Sequence, residues 1–189
     1  MIHNFPELVA FAKTLKRKRV AIIYPNNDET FNAARRAKEE GISDFLLVGD
    51  ERLICESLSR LGAKEDEFSV LHASSMGEAL RQSIAAVREG KADILMKGGV
   101  DTSTMMKAVL DQEAGLRIGR TLSDIFLLEF PEREPNKFIM ITDGGMTLAP
   151  DLKNKIELIN NAVEVAHAIG NTNPKVAVLS ATEFVLPTL

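Results

Sequence analysis

The chain has 189 residues, 45% apolar and 26% charged, the profile of a soluble globular protein long enough to bury a core as one large or two small domains. Its 23 basic and 27 acidic side chains give a net charge of −4, which argues against a general affinity for nucleic acid or anionic membrane. The single cysteine, Cys55, excludes an intramolecular disulfide framework and a multi-cysteine zinc site.

No apolar run approaches the ~18 residues that span a bilayer. At the amino terminus the basic cluster Lys16–Arg19 follows the apolar stretch, the reverse of a secretory signal, so the expected compartment is the cytoplasm. Leu8, Phe11, Ala12 and Leu15 have helical spacing, with Lys16 to Arg19 as a solvated helix end. Val20 to Tyr24 is an unalternating apolar strand, as expected where both faces of a parallel sheet are covered. Asp28 is placed to cap a helix through Ala33, Ala34 and Ala37 that stops at Gly41. Phe45 to Val48 is the next strand, and a helix from Asp50 to Leu61 ends at Gly62. Phe68 to His72 is a third strand. Ser74 or Ser75, with Glu78 at capping-box spacing, opens a helix that closes at Gly90, and Ala92 to Met96 is a fourth strand. Four β–α alternations with short loops predict an α/β domain with a mainly parallel sheet flanked by helices.

The pattern changes after Gly115. Thr121 to Phe130 and Lys137 to Thr142 are extended runs whose joint is too short for a crossover helix, which predicts an antiparallel hairpin. A long helix follows, with Leu152, Ile156, Ile159, Val163 and Ala166 on one face, Asp151 as its cap and Gly170 at its end. Val176 to Leu179 reads as a buried strand, and Pro187 would interrupt a helix in the tail beyond it. The division expected is a first α/β domain over 1–120 and a partial second α/β domain over 121–189 that begins with the hairpin.

Chemistry concentrates in three segments. In the first, a strand runs into Lys97, Gly98 and Gly99, and Thr102, Ser103 and Thr104 follow at a helix start. Glycines permit close backbone approach, helix-start amides favour anions and Lys97 adds positive charge, so the segment suits phosphate; a glycine turn with an ordinary cap fits it as well. The order of Lys and Gly is not that of a Walker sequence. In the second, Arg117 and Arg120 lie near the paired glycines Gly115 and Gly119 and are able to clamp a phosphate or carboxylate, or to sit solvated in a hinge. In the third, Asp143 ends an apolar run before Gly144 and Gly145, as a cleft wall or as a turn stabiliser. His3, His72 and His167 share no metal-ligand spacing. Cys55 and Met76, Met96, Met105 and Met106 read as packing residues.

Taken in order, Ala92–Gly98, Gly115–Arg117 with Leu122 and Ser123, Thr142–Asp143 followed by Pro150–Leu152, and Pro174–Ala181 with Glu183 resemble the phosphate acetyl/butyryltransferases, the phosphate butyryltransferase branch above all. The resemblance implies a fold like that of isocitrate and isopropylmalate dehydrogenases, with two domains around a cleft and the second truncated here. It implies a cytoplasmic acyltransferase that interconverts acyl-CoA plus inorganic phosphate with acyl phosphate plus CoA. It also implies CoA as a substrate with no cofactor or metal. The apolar surface expected to lack cover on Val176–Leu179 and on the Leu152–Ala166 helix predicts a homodimer or higher homo-oligomer.

On that reading Lys97, Gly98, Gly99, Thr102, Ser103, Thr104 and Arg117 hold phosphate or acyl phosphate, and Ser123 and Asp143 line the cleft. Two departures stand out. Asp124 replaces the histidine common after the matching serine, and its charge is able to repel phosphate or reshape the acyl pocket. The chain is about two-thirds of the usual family length. The segment bearing the family's serine–arginine and aspartate groups has no counterpart, so no catalytic residue is assigned and inactivity of the short chain is expected. A non-catalytic CoA- or phosphate-binding module is the alternative. An oxidoreductase of the same general fold is weakened by the lack of a Gly-x-Gly-x-x-Gly fingerprint.

Overall fold

The computed structural model describes residues 1–63 and 67–180. Two compact units emerge: Val9–Gly119, and a second formed by Met1–Leu8 with the residues from Arg120 on.

The first unit is built on β1 (Lys18–Ile23), β2 (Ser43–Gly49), β3 (Ser69–His72) and β4 (Ile94–Lys97), all parallel in the order β3-β2-β1-β4. Between them run α2 (Asp28–Glu39), α3 (Glu51–Arg60) and α4 (Met76–Arg88), and α5 (Thr102–Val109) follows β4. Along β1, Val20 and Ile22 pack with Phe31, Ala34, Ile54 and Leu58 from α2 and α3. Ile23 packs with Ala79, Leu80 and Ile84 of α4, and Ala21 with Ala86 and Ala92. Helices on both faces explain why β1 is apolar without alternation.

Local signals need two corrections here. Asn27, rather than Asp28, caps α2, accepting from the Thr30 amide at 2.8 Å, while Asp28 is the first helical residue and pairs with Arg60. Lys16 to Arg19 is not simply a helix end. The first helix, α1 (Phe5–Thr14), stops earlier, and Lys18 and Arg19 open β1. Asp93 explains this: it takes Lys18 Nζ at 2.7 Å and the Arg19 amide at 2.9 Å, fixing the register of β1 against β4. Elsewhere Ser75, one of the two serines expected, caps α4, and Asp50 and Asp101 cap α3 and α5.

The second unit holds an antiparallel hairpin, β5 (Phe126–Phe130) and β6 (Glu134–Ile141), and α6 (Leu152–Ala168), whose Asp151 cap forms a capping box with Asn154. The amino terminus belongs here too. Ile2 N–H donates to the Ile169 carbonyl at 2.9 Å, Phe5 N–H to Glu129 at 2.9 Å, and the Phe5 and Phe138 rings meet edge to face.

The apolar face expected on α6 is rotated. Leu158 and Ala166 are buried, whereas Leu152 and Ile156 are 74% and 51% exposed. The reason is polar: Asn154, Glu157, Asn161 and Glu164 face the Arg120–Ser123 segment. The expected strand at Val176–Leu179 is absent as well. Residues 174–180 form no regular element, and Val178 is 72% exposed. No strand lies beside this segment among the described residues, and an isolated strand leaves its backbone groups unpaired. Glu183 and Pro187 lie outside the described residues.

Candidate functional site

In an open parallel sheet, ligands bind beyond the carboxyl ends of the strands where the strand order reverses. Here β1, β2 and β3 step one way and β4 returns to the far side of β1, so that point falls between the ends of β1 and β4. Lys97 closes β4, and Gly98 and Gly99 follow it against the turn after β1.

Close backbone approach requires Gly98. A Cβ on Gly98 would collide with the Ile23 carbonyl oxygen, and one on Gly99 would lie 2.5 Å from the Asn26 amide group. Their own amides are used inward: Gly98 N–H donates to Ile23 O at 3.1 Å and Gly99 N–H to Tyr24 O at 2.8 Å. Tyr24 itself adopts a left-handed φ of 50°. The glycine pair therefore fastens the floor of the crevice and does not present those two donors to a ligand.

Lys97 is exposed, its Nζ donating to the Val100 carbonyl at 3.3 Å. At the start of α5, Asp101 accepts from the Thr104 amide at 2.8 Å. The Thr104 hydroxyl and then its amide hold the Asp101 carboxyl below its ordinary range, so Thr104 is committed to the cap. Thr102 and Ser103 stand exposed beside it. The cationic and hydroxyl groups on offer are thus Lys97, Thr102 and Ser103.

The second segment divides its two arginines. Arg117 is exposed and makes no ion pair or hydrogen bond among the described residues. The turn before it is closed by hydrogen bonds: Asp111 accepts from the amides of Glu113 and Ala114, and Leu116 N–H donates to Val109 O at 2.8 Å. Arg120 is exposed but engaged. It reaches Glu164 at 3.0 Å and Asn161 Oδ1 at 2.6 Å.

In the second unit Thr121 donates its amide to Glu157 at 2.9 Å, and its hydroxyl also bonds Glu157. Asn161 Nδ2 donates to Thr121 O at 3.0 Å and to Ser123 Oγ at 2.9 Å. Asp143 gathers the loop after β6, accepting from the amides of Gly145, Met146 and Thr147 at 3.3, 3.0 and 2.7 Å. Asp124 Oδ1 accepts from Gly144 N–H at 2.6 Å, and its carbonyl takes the Thr142 hydroxyl. Partial burial pushes the Asp143 carboxyl up, but the Met146 amide, the Asp124 carboxyl and the Thr147 and Gly145 donors outweigh it and hold Asp143 well below the carboxylate range. The Ser123–Asp124 pair and the Asp143 loop are neighbours in one unit. Lys97, Thr102, Ser103 and Arg117 belong to the other.

Sequence reasoning overlooked Asn26 and Asn161. Asn26 had only turn chemistry to mark it, but the 3-4-3 spacing of Asn154, Glu157, Asn161 and Glu164 is a helical stripe visible in the sequence. Among the described residues no group of three His, Cys, Asp or Glu side chains is arranged to hold a metal ion, and no helix is long and apolar enough to cross a membrane.

The family described as phosphate acetyl/butaryl transferase matches residues 56–187. Phosphate butyryltransferase of Clostridium acetobutylicum is 36% identical over 187 residues, 99% of this chain and 62% of that protein. A branched-chain phosphotransacylase from Enterococcus faecalis V583 superposes with a TM-score of 0.74 at 28% identity, covering 91% of this chain and 59% of that one. A phosphotransacetylase from Streptococcus pyogenes, 17% identical, shares the fold with a TM-score of 0.81, over 97% of this chain and 65% of its own. The chain thus spans about three-fifths of the length of the curated relatives it matches.

Proposed function

The chain belongs to the phosphate acetyl/butyryltransferase family, and from that membership we propose that the protein carrying it interconverts acyl-CoA plus inorganic phosphate with acyl phosphate plus CoA, using butyryl or another short acyl group. The observation that carries this reading is that the family match runs through every candidate segment, from the Lys97 turn to the Asp143 loop. A fold of the isocitrate and isopropylmalate dehydrogenase type goes with it.

In the direction of acyl-CoA formation, the CoA thiol loses its proton and the sulfur attacks the acyl carbonyl. A carbon–sulfur bond forms, the carbon–oxygen bond to phosphate breaks, and phosphate leaves with the electron pair. Positive charge and hydroxyl donors at the departing oxygens lower that barrier. Lys97, Thr102, Ser103 and Arg117 are the groups proposed to hold phosphate, and Ser123 and Asp143 are proposed as further contacts for phosphate or acyl phosphate. Gly98, Gly99 and Thr104 act by shaping the turn, since their donors are already engaged. No residue of this chain is assigned the role of thiol base.

CoA is a substrate here, not a cofactor, and a cytoplasmic homodimer or higher assembly is proposed. Exposed Phe126, Ile141, Leu148, Leu152 and Ile156 in the second unit support assembly, because extended apolar surface marks contact sites. Thiol release from butyryl-CoA, followed against phosphate concentration, tests the activity. Lys97→Ala should weaken the phosphate dependence and exposed Lys16→Ala should not. Binding of phosphate and CoA without thiol release would make the chain a binding module instead.

A further inference from the structure

The stripe on α6 does more than pin a segment. Asn161 Oδ1 accepts from Arg120 Nη2 at 2.6 Å, and a guanidinium is able only to donate. Asn161 Nδ2 faces the Thr121 carbonyl oxygen at 3.0 Å, which is able only to accept. Both partners demand the same orientation of the amide, so it has no favourable flip. The same Nδ2 lies 2.9 Å from Ser123 Oγ, and because it is a donor it occupies one of the hydroxyl's lone pairs. A hydroxyl carries one proton and two lone pairs. Ser123 therefore does not use its proton on Asn161.

We infer that Asn161 is a positioning residue that sets Ser123 as a hydrogen-bond donor toward an oxygen of phosphate or acyl phosphate. Arg120 is the outer member of the relay, since its pairing with Glu164 holds the guanidinium that fixes the amide. This rests on the proposed contact between Ser123 and phosphate.

Asn161→Asp tests the inference, because it keeps the size of the side chain and an acceptor for Arg120 but removes the donor. Ser123 would then donate to the new carboxylate and turn its lone pairs outward. Inorganic phosphate is the probe, read by calorimetry and by phosphate-induced shifts in melting temperature, with the melting temperature of the unliganded protein as the measure of structural damage. Asn161→Asp should weaken phosphate binding about tenfold, the range of one hydrogen bond to a charged group. Ser123→Ala should weaken it similarly. In the Ser123→Ala background Asn161→Asp should add no further loss, although it lowers the unliganded melting temperature as before. Asn161→His, which keeps a ring N–H near the amide position, should restore binding relative to Asn161→Asp.

Equal weakening by Asn161→Asp with and without Ser123 would show a structural role only and overturn the inference. So would wild-type affinity in Asn161→Asp beside a weakened Ser123→Ala. Wild-type affinity in Ser123→Ala, or no saturable phosphate effect on the unmodified protein, would instead overturn the phosphate contact on which the inference rests.

Discussion

The two units of this chain solve the burial problem differently. Of the 23 buried apolar residues among those described, only Leu158, Ala166 and Ile169 lie in the second unit; the sheet unit has the rest. A parallel sheet with helices on both faces buries most of its two central strands, β1 and β2, whereas a hairpin and one helix leave a face of each uncovered. The second unit is organised instead by directional polar contacts: Arg120 on Glu164, Thr121 on Glu157, Asn161 on Ser123, and the Asp143 carboxylate gathering its own loop. Burial holds one region, and hydrogen bonding sets the geometry of the other.

The contrast is sharpest for leucine truncation. Leu47, fully buried in β2, should lose about 3 kcal/mol on replacement by Ala, whereas Leu152→Ala should change stability by less than about 0.5 kcal/mol. Urea unfolding followed by circular dichroism measures both, and equal losses would break the comparison. Glycine replacements come next. Gly98→Ala drives a methyl group into the Ile23 carbonyl and should destabilise by about 2 kcal/mol. Gly145→Ala meets nothing nearer than Asp124 Oδ2 at 4.0 Å and should be close to neutral in the same measurement.

A smaller effect of opposite sign is expected inside the first core. Ser83 on α4 is fully buried and its hydroxyl has no hydrogen-bond partner among the described residues. Ser83→Ala should raise stability by about 1 kcal/mol, read as a higher melting temperature. The most local effect belongs to Asp143. Its folded-state proton affinity is depressed, so the stabilisation it confers is complete above the ordinary carboxylate range and is lost as pH falls below about 4 toward the folded value. Protection against hydrogen exchange at Met146 and Thr147, taken relative to the intrinsic rate at each pH, should fall on acidification in the unmodified protein. In Asp143→Asn it should already be low at neutral pH and change less.

What could be read from residue order was local or periodic. The β–α alternation, the Ser75 and Asp151 caps and the hairpin follow from short-range chemistry that each segment carries by itself. The Lys97 turn was legible as a site for the same reason. The use of its glycine amides was not, because it depends on β4 lying beside β1, a neighbourhood made by a crossover that skips two strands. Lys18 and Arg19 looked like a solvated helix end because Asp93, which draws them into the sheet, is 75 positions from Lys18. On α6 the apolar residues suggested one face and the polar stripe another, and the polar stripe decided the outcome because it had a backbone segment to bind. At Val176–Leu179 composition alone favoured a strand, yet a strand forms only beside a partner.

The placement of residues 1–8 bears on how the protein is made. His3 meets the Asn136 carbonyl across 133 positions, and Ile2 bonds to Ile169 near the end of α6. On a ribosome the amino-terminal segment emerges first, but its partners are synthesised last among these elements. The sheet unit can close progressively from neighbouring β–α–β pieces as they appear. The opening residues must wait, because the loop they close spans nearly the whole described chain. Residues 1–8 are therefore made before the partners they bind and are among the last of the described residues to dock.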